Sequence, residues 1–442
     1  MRVSVVGAGY VGLVSAVCFA DRGYQVTLSD QDSEKVSLVN QGVPPFYEAG
    51  LEDILKRSVR SVKLQATVQT RDAVLDSDIT FVAVGTPSRA DGSINLAHVK
   101  DSSVEIGKAL RKKSGYHLVA IRSTVVPGTT DNLVRSTIEK RSQKKAGRDF
   151  GVVMQPEFLR QGSAIHDTVN PDRIVIGQYD QKSGETLMNV YRDFFGEKLP
   201  PILRVNLATA EMIKYASNAF LATKVSFINE IAGICENVRG VDVVKVAEGM
   251  GLDERIGKRF LHAGAGFGGS CFPKDVKAIV AFAKGRRCKV RIQEAVLKVN
   301  RDQVTHVVEL TKKKLGNLRG RNVAVLGLSF KPGTDDLREA PSLRIIENLL
   351  RERSHVVAYD PAAIPNAKRI MGKRIAYAHS AQSCLQKADA ALVVTEWDEF
   401  GKLAPADFKK WMRQPILIDA RRIYDPESYR VETRYTAIGL GP

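Results

Sequence analysis

Only five cysteines are spread through this 442-residue chain, at positions 18, 235, 271, 288 and 384, and no two form a Cys-x-x-Cys pair. That pattern excludes a disulfide framework and a thiolate zinc cage, and no metal is expected. No stretch reaches the roughly 18 uninterrupted apolar residues of a membrane span, so a soluble chain with no membrane partner is expected. The opening Met1-Arg2-Val3-Ser4-Val5-Val6-Gly7 enters a strand-like run without the basic, apolar and small-residue succession of a secretory leader. A cytoplasmic location follows as the expectation. Acidic residues are the scarcer charge, 49 against 66 Lys and Arg, leaving a net charge of +17. Such an excess suits an anionic partner: nucleic acid, an acidic surface or an anionic small substrate. The cations fall in short clusters, Arg111-Lys112-Lys113, Lys144-Lys145 and Lys312-Lys313-Lys314, without interleaved aromatics. They read as solvated helix ends, and no nucleic-acid partner is expected.

At about 100–200 residues per domain, the length asks for two or three domains. Val3–Val6, Gln25–Ser29, Ile79–Val84 and His117–Ile121 read as strands alternating with amphipathic helices, the pattern of a parallel α/β sheet. Phe150–Met154 and Arg173–Gly177 extend it, and Glu185–Phe195 reads as a helix. This unit is expected to end near residue 204. Asn206–Arg239 contains no Pro and only Gly233 before its end, so it is expected to form one long helix. Helical segments continue to about residue 315, interrupted by the Gly-rich His262–Gly269. Beyond Leu318 the opening theme returns, with strands at Asn322–Leu326 and Val356–Tyr359 and a helix at Ser342–Arg351. Asp389–Thr395 also echoes Asp78–Thr86. The expected fold is α/β: two Rossmann-like doubly wound units joined by a long central helix and a helical middle domain, divided at 1–204, 205–315 and 316–442.

Gly7-Ala8-Gly9-Tyr10-Val11-Gly12 follows the first strand and opens a helix, and Asp30 ends the next strand. This is the dinucleotide fingerprint in its proper setting. Gly7 permits the tight turn, Gly9 lets backbone approach a pyrophosphate, and Gly12 lets helix and strand pack closely. An acid at Asp30 suits a ribose diol and repels a 2′-phosphate, which favours NAD over NADP. The second unit's Gly327-Leu328-Ser329-Phe330-Lys331 has the wrong glycine spacing for a dinucleotide. Lys331 there points to another phosphate ligand, unless the unit is a duplicate kept for packing.

Gly264–Asp275 sets Cys271 after a glycine run, where a helix begins with Pro273 in its first turn. A helix N-terminus and the neighbouring Lys274 favour thiolate, so Cys271 reads as a reactive thiol. Cys18 and Cys235 lie in helical patterns and read as core. Lys214 and Asn218, with Glu211 a turn earlier, share a helix face that, read alone, suits a solvated stripe more than a site. Glu157, just after a strand, suits a base and a helix-entry carboxylate equally. Thr86 and Thr124 end strands at the same edge, where hydroxyls contact ligands or cap helices.

Taken together these motifs resemble the UDP-glucose/GDP-mannose dehydrogenase family over nearly the whole chain. The pieces are GAGYVG (7–12), VGTP (84–87), STVVPG (123–128), PEFLRQGSAIHD (156–167), PDRIVIG (171–177), AEMIKYASNAF (210–220), GFGGSCFPKD (266–275), GLSFKPGTDDLREAPS (327–342) and TEW (395–397). The resemblance implies metal-free oxidation of a nucleotide sugar at C6 to a carboxylate by two NAD, through a Cys271 thiohemiacetal and thioester. It implies that Lys214 and Asn218 hold the developing oxyanion, that Asp275 and Thr124 organise water and protons, and that Glu157 serves the hydrolytic step. NAD would be held by Gly7, Gly9, Tyr10, Val11, Gly12, Asp30, Lys35, Thr86, Thr124, Lys274 and Arg338. The nucleotide sugar, expected to be a UDP-sugar, would meet Phe158, Leu159, Lys214, Asn218, Arg255, Phe260, Gly268 and Lys331. The middle domain would carry a homodimer, or a larger homo-oligomer, built around the long helix.

Two departures stand out. Gln155 replaces the usual Asn before Pro-Glu-Phe, and Gln161 replaces a common acid and cannot be a general base. Asn170–Gly177 and Asp253–Gly257 look more like the UDP-glucose branch than the GDP-mannose branch. The rival readings are another nucleotide-sugar dehydrogenase, a two-electron alcohol dehydrogenase in which Cys271 is dispensable, and a non-catalytic nucleotide-sugar or nucleic-acid binder.

Overall fold

The computed structural model describes all residues 1–442. The chain divides into two compact units, Met1–Ser217 and Asn218–Pro442, each built on its own sheet.

In the first unit, β1 (Arg2–Val6), β2 (Gln25–Ser29), β3 (Leu64–Thr67), β4 (Ile79–Val82), β5 (His117–Ile121), β6 (Phe150–Met154), β7 (Ile174–Gln178) and β8 (Ile202–Asn206) form one sheet, in the order β3-β2-β1-β4-β5-β6-β7-β8. Its central strands are buried on both faces, as expected for a sheet covered by helices on each side. The sheet is parallel as far as β6, but β7 runs antiparallel to β6, with β8 parallel to β7. The all-parallel expectation is corrected here: alternating hydrophobicity fixes which faces are buried and carries no strand direction. β4 also ends at Val82, two residues before the expected Val84, because the chain turns there to bring Ala83 against Gly7. β8 carries the sheet to Asn206, slightly past the expected boundary.

The helix that follows β1, α1 (Tyr10–Asp21), is buried along most of its length. The long helix α2 (Leu207–Cys235) stops four residues before the expected Arg239. In the second unit, α3 (Phe272–Gly285) and α4 (Arg291–Leu315) precede a six-stranded sheet. That sheet comprises β9 (Asn322–Leu326), β10 (His355–Tyr359), β11 (Ala376–Tyr377), β12 (Ala390–Val393), β13 (Ile416–Asp419) and β14 (Arg434–Ala437). All are parallel, in the order β11-β10-β9-β12-β13-β14. Between β9 and β10 lies α5 (Pro341–Arg351), whose buried Ile345, Ile346 and Leu349 seat it on the sheet. In both units the order places β1 or β9 centrally, with the chain reversing direction across the sheet beside it. That switch point is where ligands gather in doubly wound folds.

The basic clusters are not all solvated. Lys113 is half-buried and donates to the carbonyls of Val74, Leu75 and Ser77, while the Lys144 ammonium donates to the Lys113 carbonyl. These cations close the end of a helix and a loop. No helix is long and apolar enough to cross a membrane.

Candidate active site

The turn after β1 is shaped to admit a dinucleotide. Gly7 has φ +105°, and a Cβ there would lie 2.8 Å from the Ala83 carbonyl oxygen. A Cβ on Gly12 would lie 1.8 Å from the Gly7 carbonyl oxygen, so only glycine lets α1 start this close to the strand. Gly9, by contrast, faces open space with nothing within 4 Å of its absent side chain. It is the N-cap of α1, no side chain caps the helix, and no acid stands in its first turn. The helix N-terminus is therefore presented to an anion. Asp30 is partly buried and accepts hydrogen bonds from the Ala8 and Asp32 amides at 2.6 and 3.0 Å. The residues fit NAD: open backbone beside Gly9 for a pyrophosphate and a carboxylate at the strand end for a ribose diol.

Lys35 sits on the following helix in an exposed ion pair with Asp32. The Thr86 hydroxyl donates to the Thr124 carbonyl at 2.9 Å, and the Ser123 hydroxyl to the Val84 carbonyl at 2.7 Å, joining the ends of β4 and β5. Tyr10, in the first turn of α1, donates its hydroxyl to Glu48. Glu48 is only 5% exposed and also accepts from the Gly162 and Ala164 amides at 2.6 and 2.7 Å. Sequence reasoning passed over Glu48, which pins the loop after Glu157 to the cofactor helix.

Lys214 on α2 is buried and donates to the Glu157 carbonyl at 2.6 Å and to its Oε1 at 3.0 Å. The other carboxylate oxygen of Glu157 accepts from the Leu159 amide at 2.9 Å. The Phe158 ring stacks under Arg173 at 3.9 Å and lies 5.2 Å from the Lys214 ammonium. Glu211, a turn earlier, is fully buried and accepts from the Gly128 amide and from the Thr130 amide and hydroxyl. Burial pushes its carboxyl pKa up, while those hydrogen bonds pull the other way. The face carrying Glu211, Lys214 and Asn218 is buried, which corrects the solvated-stripe reading.

In the second unit Cys271 is exposed and is the N-cap of α3, with Pro273 in the first turn, as the sequence suggested. The Ser270 hydroxyl lies 3.6 Å from its sulfur. Cys18 and Cys384 are buried, and burial pushes each thiol up to about 12, while buried Cys235 is also raised. Those three are core thiols, unlike Cys271. Asp275, one turn into α3, is 1% exposed. It accepts from Asn218 Nδ2 at 2.6 Å and is paired with Lys274. This places the Cys271 thiol, a buried carboxylate and two polar side chains on one helix start and the facing turn of α2.

The glycines before Cys271 serve packing. A Cβ on Gly268 would lie 2.6 Å from the Glu339 carbonyl oxygen, and one on Gly269, at φ +84°, would lie 2.8 Å from the Phe330 ring. The Gly269 amide donates to the Arg338 carbonyl at 2.8 Å. The Arg338 guanidinium forks onto Asp336, which raises its pKa against the opposing pull of burial. Phe260 has φ +66° and packs 6.0 Å from Phe272. Arg255 is exposed and bonded to Asp253, and the Lys331 ammonium lies 5.7 Å from the Phe330 ring. No cluster of His, Cys, Asp and Glu suited to a metal ion is present.

A dehydrogenase that takes its dinucleotide at the turn after β1 is the class this fold and site define. The chain belongs to the UDP-glucose/GDP-mannose dehydrogenase family: the NAD-binding domain matches residues 1–195, the central domain 208–302 and the UDP-binding domain 324–426. It is therefore an NAD-dependent dehydrogenase that takes a nucleotide sugar. It is 44% identical to the UDP-glucose 6-dehydrogenase TuaD of Bacillus subtilis, over 96% of this chain and 90% of that protein. It is also 44% identical to the UDP-glucose 6-dehydrogenase AglM of Haloferax volcanii, over 96% of this chain and 97% of that one. Among solved structures it resembles a UDP-glucose dehydrogenase from Pyrobaculum islandicum, with a TM-score of 0.92 and 38% identity over 100% of this chain and 98% of that one.

Proposed function

We propose that this dehydrogenase oxidises the C6 hydroxymethyl of UDP-glucose to the carboxylate of UDP-glucuronate. The observation that carries the reading is an exposed thiol at a helix N-terminus, one turn from a buried Asp275 bonded to Asn218 and Lys274. A two-electron alcohol dehydrogenase has no use for such a thiol. Bound NAD supplies the oxidising equivalents for both two-electron steps. Gly7, Gly9, Tyr10, Val11 and Gly12 at the turn, with Asp30, Lys35, Thr86, Thr124, Lys274 and Arg338, are the residues assigned to hold it.

The Cys271 thiolate adds to the C6 aldehyde, forming a C–S bond while the carbonyl oxygen takes a proton. The resulting thiohemiacetal is oxidised to a thioester. Lys214 and Asn218, four residues apart on α2 and so on one face, donate to the C6 oxygen as its charge grows. Water then adds to the thioester carbon and the C–S bond breaks, returning the thiolate and releasing the acid. A carboxylate offers about four lone-pair sites, so Glu157 can accept a water proton while holding Lys214 and the Leu159 amide. Asp275 and the Thr124 hydroxyl orient the water. Gln161, a neutral amide, is not assigned as a base. Phe158, Leu159, Arg255, Phe260, Gly268 and Lys331 are assigned to the nucleotide sugar. The division of labour follows 1–204 for NAD, 205–315 for catalysis and pairing, and 316–442 for the nucleotide.

The pairing surface assigned to a homodimer is the apolar stripe Phe220, Phe227 and Ile234 of α2, at intervals of seven residues and exposed by 64, 47 and 59%. That spacing keeps the three side chains on one side of the helix, which suits packing against a second copy.

The test is to count NADH per sugar consumed with UDP-glucose and NAD, beside Cys271→Ser. Two NADH and free UDP-glucuronate are expected from the wild type, with the Ser variant stalled before the acid. Turnover of GDP-mannose or a UDP-N-acetylhexosamine in place of UDP-glucose would change the sugar and keep the mechanism. No turnover of any nucleotide sugar would overturn the reading.

A further inference from the structure

The second unit has a buried carboxylate that the proposed chemistry leaves unused. Asp360 ends β10 and is 1% exposed. Its Oδ2 accepts from the Leu328 amide at 2.8 Å, the Ser329 amide at 2.9 Å, the Ser329 hydroxyl at 3.0 Å and the Trp397 indole at 3.1 Å. Its Oδ1 accepts from the Ala362 and Ala363 amides at 2.9 and 2.8 Å. More donors converge here than the roughly four lone-pair sites of a carboxylate, so the group is saturated.

Three of those donors, the Leu328 and Ser329 amides and the Ser329 hydroxyl, belong to the turn Gly327–Phe330, which leads directly into Lys331. The same turn is tied from other sides. The Ser329 carbonyl accepts the Thr395 hydroxyl at 2.5 Å, the Leu328 carbonyl accepts the Ser342 hydroxyl, and the Phe330 amide donates to the Asp336 carbonyl at 3.1 Å. The Trp397 indole bridges to the Ser329 hydroxyl at 3.2 Å as well as to Asp360. Trp397 has no counterpart in the first unit's turn, where Gly9 stands at the place of Ser329 and faces open space.

We propose that Asp360 and Trp397 are positioning residues for the nucleotide end of the substrate. They lock the 327–330 turn so that Lys331 is held ready for the diphosphate, and they close this turn to a dinucleotide. A ribose diol finds no acceptor at Asp360, so the chain binds NAD at the first turn alone. The inference rests on the assignment of Lys331 to the nucleotide sugar.

Calorimetric titration of the full chain with UDP, and separately with NAD, tests it on Asp360→Asn, Trp397→Phe and Lys331→Ala. Leaving buried amides short of an acceptor in Asp360→Asn should weaken UDP about tenfold, and removing the indole donor in Trp397→Phe about threefold, with NAD affinity unchanged. In turnover, KM for the sugar should rise while kcat holds. Asp360→Asn is the variant at risk of misfolding; if it does, Trp397→Phe decides. Unchanged UDP affinity in Trp397→Phe, or equal weakening of NAD and UDP, overturns the proposal. If Lys331→Ala weakens UDP while the other two variants bind normally, the positioning claim alone fails. If Lys331→Ala binds UDP like the wild type, the underlying assignment fails with it.

Discussion

The turns after β1 and β9 start from the same backbone and end in opposite uses. Gly7 and Gly327 have φ +105° and +97°, and their amides donate to the end of the neighbouring strand, at Ser29 and Tyr359. The next amide, Ala8 or Leu328, donates to the acid at that strand's end, at 2.6 or 2.8 Å. The amide two residues past the acid, Asp32 or Ala362, donates back to it at 3.0 or 2.9 Å. There the likeness stops. Asp30 accepts these two bonds and keeps acceptor sites for a ligand, while Asp360 accepts the same two and four more. The third turn position, Gly9 against Ser329, and Trp397 from the loop after β12 separate an acid with open acceptor sites from an internal anchor.

The comparison breaks hardest at Gly12. Gly12→Ala drives a Cβ into the Gly7 carbonyl and should cost about 3 kcal/mol or more, with NAD binding lost, read by urea unfolding and fluorescence titration. Next come the two acids. Asp360→Asn should lose about 3 kcal/mol in urea, because it strips acceptors from buried amides, while Asp30→Asn loses under about 1 kcal/mol. Equal losses would erase the distinction drawn here. The same Asp30→Asn variant should bind NAD about tenfold more weakly by calorimetry, with UDP affinity untouched.

The smallest effect is a pH dependence carried by a histidine of the second unit. Glu236 bonded to His306 raises the imidazole pKa above its usual value, against the opposing pull of burial. A raised pKa stabilises the fold fully below the unfolded value of about 6.5, and that contribution fades as pH rises through the folded value. His306→Gln should therefore cost about 0.5–1 kcal/mol near pH 6 and less near pH 8.5, by thermal melts at both.

Much of this organisation was legible because it is local. Val-rich runs gave the central strands, the glycines and Asp30 lie within one short segment, and Pro273 marked the helix that Cys271 caps. What escaped is long-range or unpatterned. β3 is a four-residue strand with a single buried position, and β8 is an edge strand with no buried residue, so neither stands out as an apolar run. Glu48 and Glu211 look like surface charges in sequence, since the amides they hold are supplied by segments more than 80 residues away. Asp360 ends a strand as Asp30 does, and nothing local reveals that Trp397 reaches it.

The glycine run before Cys271 carries a consequence for how this protein can change over generations. Any side chain at Gly264, Gly268 or Gly269 meets backbone or an aromatic ring at 2.6–2.8 Å. Single substitutions there have no nearby accommodating state, so the location of the Cys271 thiol is inherited through backbone shape more than through side-chain chemistry. Change is channelled instead to open positions such as Arg255, whose exposed side chain bonds only to the neighbouring Asp253.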